Sequence, residues 1–292
     1  MPFHAYYGYN ARVNSNSSRV YTLEKNVDSS ERGQRLMQLM KTYGLNFGRE
    51  DSFKLYRQGM LTRRTLLGIH VNEFSTESLL EISAALGMPT DYQPLVAEKF
   101  AHANMVFFGL EDRDEGGVFK VYLELWDQLK KRVLETGSTE PAMLNVGVKW
   151  DTQSGKHCRA DYLCFPMLSV ADIVSRIDAM FRDRTAMSTR ELTLNVIRQA
   201  AAHNPATSFL YVEVSEGDSP RNSFDINLYK ANLKVSDISA LLVQLGRQYE
   251  TDDQAIDDLC KRIGHRQLGH FSGGLDRHGR NFTTVYYEVV AR

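Results

Sequence analysis

Glu111-Asp-Arg-Asp-Glu-Gly-Gly117 runs straight into Val118-Phe-Lys-Val-Tyr-Leu-Glu-Leu125, and the join reads as a turn feeding a strand. Gly and Asp supply the backbone freedom and local side-chain hydrogen bonds that a tight turn needs. The strict alternation after it is the period of a strand covered on one face. Phe119, Val121, Leu123 and Leu125 make one face; Lys120, Tyr122 and Glu124 make the other. A helix over about Asp127 to Glu135 follows.

Outward from this stretch the same pattern recurs. Turn clusters stand at Asp151-Thr-Gln-Ser-Gly-Lys156, Ser215-Glu-Gly-Asp-Ser-Pro-Arg-Asn222 and Gly274-Leu-Asp-Arg-His-Gly-Arg280. A weaker one, Gln58-Gly-Met-Leu-Thr62, joins Phe53-Lys-Leu-Tyr56 to Thr65-Leu-Leu-Gly-Ile-His-Val71. Each is flanked by alternating or β-branched and aromatic runs, the mark of a hairpin. Helical stripes fill the gaps at Ser29 to Tyr43, Ser75 to Leu86, Ser169 to Phe181, Ser188 to Ala202, Ser236 to Tyr249 and Asp252 to Ile263. Val170, Ile173, Ile177 and Met180 show the spacing of a single apolar helix face.

The turns recur at roughly 40 to 60 residues, a spacing at which an internal repeat is expected. Propeller blades are all-β and helical solenoids have no strands, so hairpins alternating with helices fit neither. An open antiparallel sheet of ten strands would leave two unpaired edges, and closure removes them. The expected fold is therefore α+β: a ten-stranded antiparallel β-barrel from five αββα repeats, ringed by helices, as one domain over residues 1–292. Residues 1–25, with Tyr6-Tyr7-Gly8-Tyr9, read as an N-terminal extension: a strand, a lid or a partner-binding arm.

Composition narrows the function classes. The 35 basic and 36 acidic residues nearly cancel, which argues against a general binder of nucleic acid or anionic membrane. No run is long and apolar enough for a membrane span. Met1 to Ser18 lacks the apolar core of a signal peptide, so a cytoplasmic protein is expected. Cys158, Cys164 and Cys260 suit neither a disulfide framework nor a zinc site. Cys158 and Cys164 share a strand face and are expected under the helices. His265, His270 and His278 match no metal spacing and read as hydrogen-bonding residues of the surface or lumen.

With helices outside, the polar face of each strand should line a lumen. That face carries Lys54, Tyr56, Arg64, His70 and Asn72, then Lys120, Tyr122 and Glu124, then Asn145, Gly147 and Lys149. Arg159 and Asp161 follow, then Phe209, Tyr211 and Glu213, then Asp225, Asn227 and Tyr229, and finally Thr284, Tyr286 and Glu288. Its share of tyrosine suits a pocket wall better than open water. Lys54, Arg64, Lys120, Lys149 and Arg159 are the candidate anion ligands. Converging cations beside aromatic rings fit an isoprenoid diphosphate: the cations take the charge growing on the leaving group, and the rings shield an allylic cation. Tyr122, Tyr211, Tyr229 and Tyr286 are the candidate shields. Glu50, Asp51, Glu124, Glu213 and Asp225, with Asp161 and Glu288, are the candidate proton acceptors.

The repeat resembles the architecture of the ABBA prenyltransferases, and the chain looks most like the cyanobactin peptide prenyltransferases. Phe108-Gly-Leu-Glu-Asp-Arg113 leading to Val118-Phe-Lys-Val-Tyr-Leu-Glu124 resembles the family's strand–turn–strand with a basic residue in the second strand. Phe53-Lys-Leu-Tyr56 followed by Arg64 resembles its first hairpin. The resemblance implies Mg²⁺-dependent transfer of a dimethylallyl or geranyl group to a peptide side chain or terminus. It implies Lys54, Arg64, Lys120 and Lys149 as diphosphate ligands. The family places an acid at its first strand as base; here Tyr56 fills the inward site, and Glu50 and Asp51 precede it. The number of inward acids points to a cationic acceptor such as an arginine side chain. Two other readings stand beside this one: a transferase for a small aromatic acceptor, and a non-catalytic binding barrel.

Overall fold

The computed structural model describes residues 27–181, 187–205 and 208–289. The expected N-terminal extension lies outside the described residues. The strands are β1 (Gly48–Tyr56), β2 (Gly59–His70), β3 (Met105–Asp112), β4 (Gly117–Glu124), β5 (Ala142–Asp151), β6 (His157–Cys164), β7 (Leu210–Ser215), β8 (Asn222–Asn227), β9 (Leu268–Leu275) and β10 (Asn281–Val289). They pair antiparallel in chain order, and β10 closes onto β1, so the sheet is a barrel without edges. Tight hairpins join the strands at one end, here the hairpin end. Every helical connection leaves from the other, the helix end.

The helices are α1 (Glu31–Thr42), α2 (Thr76–Ala85), α3 (Gln93–Phe100), α4 (Trp126–Thr136), α5 (Val170–Met180), α6 (Met187–His203), α7 (Ser239–Gln248) and α8 (Asp253–Ile263). Local chemistry sets their starts. Ser30 accepts from the Gly33 N–H, and Ser75 and Ser169 form reciprocal capping boxes with Ser78 and Asp172. α4 stops at Gly137, whose φ of 64° is left-handed and favours glycine. The sequence reading missed α3, a short helix behind Pro94.

Two apolar clusters lie between helices and barrel. One joins Leu36 and Met40 of α1 and Leu79 and Ile82 of α2 to Leu67, Ile69, Val106, Phe108, Phe119 and Val121. The other joins α5–α8 to Phe53, Leu55, Phe224, Ile226, Phe271 and Val285. Helix α4 does something else. Its Leu129 packs with Leu144, Cys164, Leu210 and Val212, with Trp126 and Val133 on the same cluster. By register, Val212 shares a face with Cys164 and with Asp225, and Asp225 faces the lumen. Helix α4 therefore lies across part of the helix end of the lumen. The outer face of β6 is left bare: Arg159 is exposed and Leu163 is 37% exposed.

This displacement overturns the inward assignment on β6 and β7. Lys149 pairs with Cys158 and Gly147 with Ala160, so Cys158, Ala160 and Tyr162 line the lumen. Arg159 and Asp161 point outward, joined at 2.7 Å in a solvent-facing ion pair. Next along, Leu210, Val212 and Val214 face in, and Tyr211 and Glu213 face out. Tyr211 is fully buried beneath α5 and α6, and Glu213 accepts from Arg176 of α5 at 2.7 Å. The rule that apolar faces point outward fails where no helix covers the strand (β6) and where the lumen wall is itself apolar (β7). Cys158 and Cys164 do share a face, but it is the inner one.

Candidate active site

The lumen is polar at both ends and aromatic between. At the hairpin end, register brings Lys54, Arg64, Glu111, Lys120 and Lys149 onto the inner face. Glu111 gathers three cations: Arg113 at 2.6 Å, and Lys120 and Arg64 each at 3.4 Å. Glu216, in the β7–β8 hairpin, gathers three more: Lys149 at 2.6 Å, Arg221 at 2.5 Å and Arg277 of the β9–β10 hairpin at 3.2 Å. Lys54 caps the Phe282 ring at 4.6 Å from its centroid. Cations outnumber carboxylates here.

The two nodes are bonded differently. Glu216 Oε1 makes short bonds to Lys149 and Arg221, while its Oε2 has the Arg277 ion pair without a hydrogen bond. Arg64 is 92% buried, yet its Nε and Nη1 have no hydrogen-bond partner. Its ion pair with Glu111 at 3.4 Å is shared with Lys120 and Arg113, so a buried guanidinium that lacks hydrogen bonds at two nitrogens has capacity for a further anion. The lysines carry the same imbalance. Burial pulls Lys120 down to about 7, with Arg64, Lys149 and Lys54 adding repulsion that Glu111 only partly offsets. Burial likewise lowers Lys54 and Lys149 to about 8. Burial alone would raise both carboxylates, but the cations hold Glu111 well below its usual range and Glu216 at about 2.

The middle of the lumen is aromatic. Tyr122 and Tyr162 meet edge to face at 5.5 Å, and Lys149 stands 5.8 Å from the Tyr162 ring. Arg64 lies 5.8 Å from the Tyr286 ring. Tyr122 lies flat over its cross-strand partner Gly147, where an added Cβ would come 2.5 Å from the ring. Glycine there lets the ring hug the wall and keeps the bore open. A bulge in β10, between Val285 and Tyr287, frees Tyr286 from pairing with β9.

At the helix end lies a cluster of opposite sign. His270 Nδ1 donates to Asp225 Oδ1 at 2.7 Å, and His270 Nε2 stands 3.9 Å from Glu50 Oε1. The Tyr229 hydroxyl donates to the same Glu50 oxygen. Gly269 permits this crowding, since a Cβ there would fall 2.8 Å from both Glu50 Oε1 and the Tyr229 hydroxyl. Glu124 belongs to this end by register and is 3% exposed. Asn227 Nδ2, 3.3 Å from Nε2, favours a neutral imidazole, whereas two carboxylates favour a charged one. The carboxylates dominate: burial opposes the charge, but Asp225 and Glu50 lift His270 to about 9. Burial is also the largest influence on Glu50 and raises its pKa.

Of the expected site residues, Lys54, Arg64, Lys120 and Lys149 converge at the hairpin end, and Glu50, Glu124 and Asp225 lie at the helix end. Tyr122 and Tyr286 line the bore between, and Tyr229 reaches Glu50 from a 3₁₀ turn after β8. Arg159, Tyr211 and Glu213 are outside. Asp51 is outside too, held by Arg49, which also binds Asp28. Asn72 falls in an exposed turn after β2. Sequence reasoning missed Glu111, Glu216, Arg221, Arg277, Tyr162 and the role of His270. Among the described residues no group of three or more His, Cys, Asp or Glu side chains is arranged to hold a metal ion. No described helix is long and apolar enough to cross a membrane.

No protein-family model matches this chain, and no curated protein matches it in sequence. Solved structures resemble it in fold. NotF prenyltransferase is 11% identical with a TM-score of 0.54, covering 82% of this chain and 80% of its own. AnaPT from Neosartorya fischeri is 13% identical with a TM-score of 0.48, covering 84% and 78%. NotF in complex with brevianamide F and DMSPP gives 11% identity and a TM-score of 0.48 over 82% and 79%. The likeness to NotF prenyltransferase shows a shared barrel fold.

Proposed function

We propose that this barrel transfers an isoprenoid group from its diphosphate to an acceptor held in the lumen. The observation that carries the reading is Arg64: a guanidinium 92% buried, without a hydrogen bond at Nε or Nη1, sharing Glu111 with Lys120 and Arg113, and beside two lysines depressed by burial. Such a cluster suits a multivalent anion. In the proposed reaction the donor's C–O bond breaks and its electron pair leaves on the diphosphate. The hairpin-end cations stabilise that charge. Tyr122, Tyr162 and Tyr286 face the allylic cation and keep water from it. The acceptor's nucleophilic atom bonds to the allylic carbon and gives its proton to Glu50.

For the acceptor, α4 lying across part of the helix end favours a small aromatic molecule that the lumen can enclose. A cationic acceptor, such as the arginine side chain of a peptide of the cyanobactin kind, is the second reading, favoured by the buried acids Glu50 and Glu124 and the half-buried Asp225. The Mg²⁺ expected from the resemblance does not fit a protein-held site, because Glu111 and Glu216 are already engaged by cations. No step runs through it. Calorimetric titration with dimethylallyl and geranyl S-thiolodiphosphates, in Mg²⁺ and in chelator, tests the reading. Saturable binding that Arg64→Ala weakens by about a hundredfold is expected, and the tighter analogue names the donor. No binding of either analogue by folded protein would sink it. A panel of small indoles and arginine-containing peptides then separates the acceptors.

A further inference from the structure

Glu50 is buried among acids, and a carboxylate in that position tends to hold its proton. A group that is already protonated cannot take one from an acceptor. Something must keep it ionised. We propose that His270 is a positioning residue: clamped by Asp225, its imidazolium stands beside Glu50 and keeps that carboxylate charged and able to accept the acceptor's proton. This role deepens the transferase reading and rests on it.

The geometry supports one orientation of the ring. Its Nδ1 is tied to Asp225 at 2.7 Å, which turns Nε2 toward Glu50 at 3.9 Å. Two tyrosines hold the imidazole edge-on, Tyr229 at 5.9 Å and Tyr286 at 6.0 Å between ring centres. The groups facing this pair come from five elements: Asp225 and Asn227 of β8, Tyr229 of the following turn, Glu50 of β1, Tyr286 and Glu288 of β10, and Glu124 of β4. Burial pushes Glu50 toward its protonated form, and Asp225 and Glu288 push the same way. His270 is the largest opposing influence, followed by the Tyr229 hydroxyl. Without the imidazolium, the buried Glu50 would face the half-buried Asp225 carboxylate with no shared counter-charge, and Glu50 would hold its proton.

The step then balances. Glu50 receives the acceptor's proton as the new bond to the allylic carbon forms, and releases it to solvent before the next cycle. His270 keeps its own proton throughout, so it is not the base.

Two readouts on the full chain test this. Carbon-13 NMR of glutamate-labelled protein, with Glu50→Gln to assign the signal, gives the Glu50 titration midpoint without donor or acceptor. In His270→Gln that midpoint should rise by about one pH unit or more. In Asp225→Asn the His270 midpoint, read by proton NMR, should fall by about as much. The acid limb of the pH profile of kcat/KM should move upward with Glu50 in His270→Gln, with activity recovering at high pH. An unmoved Glu50 midpoint in folded His270→Gln overturns the proposal. So does an activity loss of equal size at every pH, which marks a merely structural role. Failure of donor analogues to bind would count against the transferase reading alone, because the NMR titration decides the coupling without them.

Discussion

The two ends of the lumen bury charge in opposite ways. At the hairpin end each of two carboxylates, Glu111 and Glu216, sits under three cations. At the helix end one imidazole is flanked by two carboxylates, Asp225 and Glu50. The first arrangement lacks an anion and the second has acceptors to spare for a proton. Tyr286 stands between them, with Arg64 near its face and His270 at its edge. Neither end explains itself as stabilisation, since buried charge seldom repays its desolvation. Together they suit a reaction that releases an anion at one place and a proton at another.

The contrast can be broken by experiment. Arg64→Ala should weaken binding of a thiolodiphosphate donor by about a hundredfold, the order expected for a buried charged contact, as read by calorimetry. Lys120→Met should cost about tenfold in the same assay. Because Glu111 keeps Arg64 and Arg113 as partners and Lys120 is repelled by Arg64, Lys149 and Lys54, the variant's melting temperature should change little in a thermal scan. Donor binding should also take up protons. An anion raises the pKa of Lys54, Lys120 and Lys149, which stand at about 8, 7 and 8 without it, so between pH 7 and 8 the complex binds more protons than the free protein. Affinity should then fall as pH rises past about 8, and calorimetry in buffers of different ionisation enthalpy measures the uptake. The smallest effect sharpens the outline of the site: Arg159→Ala should leave donor affinity within about twofold and stability within about 0.5 kcal/mol, as for an exposed surface pair. A large loss there would mean that β6 presents its other face to the lumen.

Four of the hairpin-end cations, Lys54, Arg64, Lys120 and Lys149, were legible because the outer faces of β1, β2, β4 and β5 are apolar and lie under helices or packed side chains. Alternation therefore had one interpretation. On β6 and β7 it had two, and only the position of α4 decides between them. Nothing in the Trp126–Thr136 stripe announces that this helix covers a lumen end and not a sheet face. Glu216, Arg221 and Arg277 sit inside stretches rich in Gly, Asp and Ser, where turn chemistry accounts for the composition and hides the function. Their signal was the presence of large basic residues in turns too short to need them. His270 was legible in principle, as the inward alternate to Phe271. The glycines around it blur the period of that strand.

The seam between β1 and β10 carries a kinetic consequence. Arg49 pairs with Val289, about 240 positions away along the chain, and that separation makes this the slowest contact to nucleate. Glu50, Lys54 and Tyr286 all lie on the two strands of that seam. A chain that has formed its local hairpins but not yet closed holds neither Glu50 nor Lys54 against Tyr286 and the rest of the lumen. In the proposed reaction, a partly folded molecule would therefore lack the groups that ionise a donor.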